Sequence, residues 1–123
     1  KLFDAKKKGF KKMYVWGSGN PKRELIYVDD VANACLHFLK VKTKETLINI
    51  GTGMDYTIKY YAKFLADKIH PKCKIFFDKK MPDGTPRKLL NTAIANKYGW
   101  YTKINLNEGT NITIEDYIKK NNI

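Results

Sequence analysis

Arginine is scarce in this sequence. Of 24 basic residues against 12 acidic ones, a formal charge of +12, only Arg23 and Arg87 are arginines and the other 22 are lysines. The planar fork that reads base edges and clamps phosphates is therefore nearly missing. Apart from the run Lys1, Lys6, Lys7, Lys8, Lys11 and Lys12, the lysines fall in ones and twos. That scatter reads as a solvated coat, with no nucleic-acid partner; a basic non-enzymatic module that binds polyanions stands as the alternative. Cysteine is nearly absent too: Cys35 and Cys73 lie 38 positions apart with no CxxC spacing. This excludes a disulfide framework or a zinc site and suits two buried thiols in a reducing, cytoplasmic setting. No apolar run approaches the roughly 20 residues that a bilayer requires, so no membrane partner is expected, and no signal peptide is visible. GxGxxG, P-loop, GxSxG and HExxH signatures are all missing.

What remains is one domain's worth of chain. At 123 residues, with 43% hydrophobic and 13% aromatic residues, the composition argues against disorder. Residues 1–8 read as the end of a helix stopped by Gly9, and Tyr14 to Trp16 as a strand running into the turn residues Gly17 to Pro21. Glu24 to Val28 reads as a further strand. Val31, Ala32, Cys35, Phe38 and Leu39 recur at helical spacing behind Asp29 and Asp30, whose charges suit a helix N-terminus. Leu47 to Ile50 reads as a buried strand entering the Gly51-Thr52-Gly53 turn. Thr57 then caps a helix with an apolar face of Ile58, Tyr61, Ala62, Leu65 and Ile69. A strand at Lys74–Phe77, a rigid Pro82-Asp83-Gly84-Thr85-Pro86 loop and an extended Lys88–Asn91 follow. A short helix capped by Thr92 and stopped by Gly99, and a C-terminal helix over 107–120, complete the pattern. Alternating strands and helices predict α/β architecture.

Few residues carry chemistry. Gly51-Thr52-Gly53 lacks the third glycine of a phosphate loop and reads as a backbone turn. Cys35 and His37, two positions apart on a helix, point to different faces and cannot act as a nucleophile and its base. His37 and His70 are isolated, so no metal site is expected. Trp16 ends a strand just before a Gly-Ser-Gly turn, either as a core residue or as an aromatic platform at a cleft rim. Arg23 follows that turn; Asp83 is either a turn former or a fixed acceptor, with Arg87 close behind. An aromatic plate, one or two guanidiniums and a held carboxylate suit a nucleoside diphosphate ligand.

Three segments carry a resemblance. Val15-Trp16-Gly17-Ser18-Gly19-Asn20-Pro21-Lys22-Arg23-Glu24, continuing to Val28-Asp29-Asp30-Val31-Ala32, resembles the VWGSGxPxRExxxVDDxA segment of the GDP-L-fucose synthase family. Asn49-Ile50-Gly51-Thr52-Gly53 is similar to its NxGTG turn. Pro82 through Leu90, followed by Gly99-Trp100, resembles its PDGTPRKLLD and LGW pieces, with Asn91 standing where the family has Asp. The NxGTG and RExxxVDD pieces are shared with many extended short-chain dehydrogenase/reductases. WGSG and PDGTPRKLL narrow the resemblance to the fucose branch.

The resemblance implies the C-terminal, substrate-binding part of an extended Rossmann-type enzyme, incomplete without a preceding dinucleotide-binding domain, with residues 24–53 completing that domain. It implies conversion of GDP-4-keto-6-deoxy-D-mannose to GDP-L-fucose by epimerisation and NADPH-dependent reduction, in a protein that is a homodimer when full length. Another nucleotide-sugar epimerase or dehydratase of the same superfamily is the near alternative. Trp16, Arg23, Asp83 and Lys1 fall on substrate-binding positions. The reductase and epimerisation residues, and the glycine motif that binds most of the NADP, fall ahead of Lys1, so none of this chain's residues is expected to be catalytic.

Overall fold

The computed structural model describes residues 1–122, and they form two compact units built from alternating stretches of chain. The first comprises Lys1–Arg23 and Asp55–Lys88; the second comprises Glu24–Met54 and the chain from Leu89 onward.

In the first unit, α1 (Leu2–Lys7) leads through Gly9, at φ +69°, to β1 (Lys12–Trp16). β1 lies parallel to β4 (Lys74–Asp78), pairing Lys12 with Lys74 and Trp16 with Asp78. Parallel neighbours need a crossover, and the chain between them supplies α3 (Ile58–Ile69). The expected cap is present: Thr57 Oγ1 accepts the Tyr60 N–H at 3.0 Å. The apolar face read from the sequence is turned inward, with Tyr61 and Ile69 buried, and Ala66, which that face did not include, is buried beside them. A smaller sheet has β2 (Lys22–Arg23) at its centre, antiparallel to β3 (Tyr56–Thr57) and parallel to β5 (Arg87–Lys88). His70 donates from Nε2 to the Phe10 carbonyl at 2.9 Å, which ties the end of α3 to the approach to β1.

The second unit holds α2 (Val28–Lys40), α4 (Ala93–Lys97) and α5 (Leu106–Asn121) around Ala34, Ala95 and Trp100, with Ile26, Phe38, Ile48 and Ile50 packed against them. His37 is likewise structural, donating from Nε2 to the Tyr98 carbonyl at 2.9 Å. Gly109, inside α5, leaves room for the Tyr27 ring: a Cβ there would lie 3.1 Å from Tyr27 Cβ.

Four sequence expectations are corrected here. Residues 24–27 and 47–50 are irregular, not strands, because no neighbouring strand among the described residues takes their hydrogen bonds. α2 buries its Ala34 side and leaves most of the expected apolar face open, with Val31 38% and Leu39 82% exposed. Cys35 shares that open face, so only Cys73 is a buried thiol. Thr92 makes no side-chain cap; Asn91 Oδ1 accepts the Ala93 N–H at 3.0 Å instead.

Asp30 holds the second unit together. Only 3% exposed, it accepts the Lys103 N–H at 3.1 Å and the Ile104 N–H at 3.0 Å, tying the first turn of α2 to the approach to α5. Replacing it with Ala orphans two amide donors, so urea denaturation of Asp30→Ala should show a loss of about 2 kcal/mol or more. An unchanged midpoint would mean that water takes over both donors.

Candidate functional site

Two loops of the first unit are held together by one carboxylate. Gly17, at φ +83°, and Gly19, at φ +78°, turn the chain sharply out of β1. This aims the Ser18 N–H and hydroxyl at the same neighbour: the amide donates to Asp83 Oδ1 at 2.5 Å and Oγ to Asp83 Oδ2 at 2.6 Å. A Cβ on Gly17 would strike Asp83 Oδ1, so only glycine fits both the backbone angle and the approach. The Ser18 hydroxyl, and after it the Ser18 amide, hold the Asp83 carboxyl below the usual carboxylate range. Asp83 is thus both turn former and fixed acceptor, with one lone pair on each oxygen already committed.

Arg23 approaches the same loop. A Cβ on Gly84 would lie 3.9 Å from its Nη2. The guanidinium donates from Nη1 to the Lys22 carbonyl at 2.6 Å, and Tyr61 donates its hydroxyl to the Arg23 carbonyl at 2.9 Å. Among the described residues no carboxylate pairs with Arg23, which leaves Nη2 and Nε available as donors. Arg87 is in the opposite condition. Asp55 holds it bidentately, Nε to Oδ2 at 2.6 Å and Nη2 to Oδ1 at 3.3 Å, and the Asp55 side chain is only 6% exposed. That bond pulls the Asp55 carboxyl down and pushes the Arg87 guanidinium up. The second guanidinium considered for a phosphate is therefore already spent on Asp55.

Trp16 ends β1 one residue before this clamp and is 69% exposed. It is not a core residue. Lys1 stands ahead of α1, and among the described residues no hydrogen bond or ion pair joins it to Trp16, Arg23 or Asp83. The structure thus brings Asp83 and Arg23 to one loop, sets Trp16 beside it, and leaves Lys1 apart.

The sequence reading gave Glu24 no role, yet its carboxylate organises the glycine turn of the second unit. Glu24 Oε1 accepts the Thr52 N–H at 2.5 Å, the Gly53 N–H at 2.7 Å and the Thr52 hydroxyl at 3.0 Å, while Oε2 accepts the Leu90 N–H at 3.0 Å. A Cβ on Gly51 would come within 2.6 Å of that carboxylate. The amides that could have cradled a phosphate are occupied, so this turn does not fit a dinucleotide. Asking where the donors of Gly51-Thr52-Gly53 go would have pointed to an acid.

The fold is that of the extended nucleotide-sugar reductases and epimerases. The UDP-glucose 4-epimerase of Thermotoga maritima, bound to UDP-glucose, superposes with a TM-score of 0.82 at 26% identity, over 97% of this chain and 38% of that one. Residues 3–51 match the model of the NAD dependent epimerase/dehydratase family. "Putative GDP-L-fucose synthase 2" of Arabidopsis thaliana is 36% identical over 119 residues, 97% of this chain and 36% of its own. The GDP-L-fucose synthase of Escherichia coli strain K12 is 39% identical over 114 residues, 85% of this chain and 36% of its own. The chain is thus a homologue of the GDP-L-fucose synthases within that family, and it spans about a third of the length of the relatives it matches.

The clamp predicts an acid response. A carboxyl whose folded pKa lies below its ordinary 3.8 stabilises the folded loop fully above that value and loses the contribution as pH falls through the lower one. In an NMR titration the Ser18 amide resonance should move with a midpoint below 3.8, and Asp83→Asn should abolish the movement. A midpoint at or above the ordinary value would contradict the clamp.

Proposed function

We propose that this chain is the nucleotide-sugar-binding portion of an enzyme that converts GDP-4-keto-6-deoxy-D-mannose to GDP-L-fucose, by epimerisation followed by NADPH-dependent reduction. The observation that carries the reading is Arg23, a guanidinium left without a carboxylate beside a loop that Ser18 and Asp83 hold rigid. Arg23 binds the diphosphate, Trp16 stacks on the base or a sugar, and Asp83 accepts from a ligand hydroxyl with its remaining lone pairs. Lys1 adds a cationic contact once the ligand is bound.

The cofactor lies with a preceding domain. The open face of α2 and the unpaired 47–50 segment support this, being an apolar helix side and a stretch of strand-like composition with no strand beside it among the described residues. Residues 24–53 complete that domain, and the unit boundaries at Arg23/Glu24 and Met54/Asp55 agree with such a division. NADPH supplies the hydride; the residues described here bind and orient the sugar nucleotide. The full-length protein works as a cytoplasmic homodimer.

A second reading has an observation behind it, because the 4-epimerase that superposes on this chain carries UDP-glucose. Calorimetry with GDP-mannose and UDP-glucose separates the two. The GDP-sugar should bind more tightly, and Arg23→Ala should weaken it about tenfold or more, the worth of one charge-assisted contact. Trp16→Ala should weaken it as well. Tighter binding of the uridine nucleotide would transfer the chain to the second reading. The 123-residue chain, supplied with NADPH and the keto sugar, should show no turnover; measurable NADPH oxidation would refute the division of labour.

A further inference from the structure

The first unit has a cavity that the reading above does not use. It lies between α3 and β4, has a volume of about 440 Å³, and shares no lining residue with the Trp16, Arg23 and Asp83 loops. Lys59 and Lys63, one turn apart on α3, form one wall, and Lys74, at the start of β4, stands opposite. None of the three makes an ion pair among the described residues. Asp67 is the sole acid in the lining, so the cavity carries two positive charges in excess.

The rest of the lining is apolar. Phe76 is 39% exposed, and its ring is held against Tyr14 at 5.5 Å between centroids, 29° from parallel. The Lys12 ammonium lies 6.0 Å from the Phe76 centroid and adds further charge at this edge. Ala66, the buried Cys73, Ile75 and Phe77 complete the lining. Unpaired ammonium groups around an aromatic surface, in a cavity within the usual small-molecule range, lack one thing: an anion with a flat apolar body. Lysines act as point charges without the directional fork of arginine, so they accept a carboxylate, a sulfate or a phosphate monoester alike.

We propose that this cavity is a binding site for a small aromatic anion, separate from the sugar-nucleotide loops. The ring lies against Phe76 and the anionic group between Lys59, Lys63 and Lys74.

The test uses the full 123-residue chain and phenyl phosphate, followed by amide NMR at low and high salt, with inorganic phosphate and a short oligonucleotide as comparisons. Saturable shifts confined to residues 59–67 and 73–77 are expected, with Ser18 and Gly84 unmoved. Salt should weaken the binding, and the double variant Lys59→Gln/Lys63→Gln should weaken it about tenfold while keeping its amide spectrum dispersed. Both lysines are exposed, so the variant tests charge and leaves the core intact. Inorganic phosphate binding as tightly as phenyl phosphate would overturn the role of the ring. Shifts spread over the surface lysines, or tighter binding of the oligonucleotide that ignores the double variant, would overturn the site in favour of diffuse polyanion attraction. No shift at all would overturn it outright.

Discussion

The structure depends on carboxylates that accept hydrogen bonds from the main chain. Sharp or irregular segments leave N–H groups that no helix or sheet satisfies, and each such donor costs about 1–3 kcal/mol if it is buried without a partner. Lysine, the most abundant charged residue, has no acceptor and cannot help. The task falls to a few of the 12 acids. Asp83 takes the Ser18 amide, Glu24 takes the amides of Thr52, Gly53 and Leu90, and Asp30 takes those of Lys103 and Ile104. In a chain so basic, the acids rather than the bases determine which loops stay in place.

That allocation also decides which cations remain available. Asp55 engages Arg87 through both nitrogens of the fork and is itself covered, so Arg87 braces β5 and presents little to a ligand. Asp83 has Ser18 and does not reach for Arg23. Of the chain's two arginines, Arg87 is neutralised and Arg23 is open. The same logic removes the Gly51-Thr52-Gly53 turn from phosphate chemistry: its amides form an anion cradle, and Glu24 fills it from within the chain.

Much of this was legible in the sequence, and the failures have a common cause. Period, turn residues and, for α3, the Thr57 cap located α1, β1, α3, β4, α4 and α5, because those signals are local. Residues 24–28 and 47–50 have strand composition, but a strand exists only with a partner beside it, and composition cannot say whether one is present. For α2 the helical period was right, yet the packed side is that of Ala34, with Phe38 alone of the expected stripe lying against the core. Periodicity tells which side is apolar, not whether this chain covers it. At the candidate site, Trp16, Arg23 and Asp83 were singled out from residue type and turn chemistry. The bonds that give them different conditions, Ser18 to Asp83 and Arg87 to Asp55, join residues 65 and 32 positions apart and leave no local trace.

Arg23 and Glu24 show how closely the two units are coupled in sequence. The chain passes from the first unit to the second between them. Arg23 uses its backbone as the centre of a three-stranded sheet, with Tyr61 on its carbonyl, and keeps its guanidinium free near Gly84. Glu24, one bond later, spends its whole carboxylate on the amides of the second unit. Had the two charges paired with each other, as adjacent opposite charges on an exposed surface can, the Arg23 guanidinium would be committed and the turn at Gly51 would have two orphaned amides, those of Thr52 and Gly53. Each charge keeps its own place because its neighbour in sequence is committed elsewhere: exchanging the two residues would remove the open cation from the first unit and the amide cap from the second in one step.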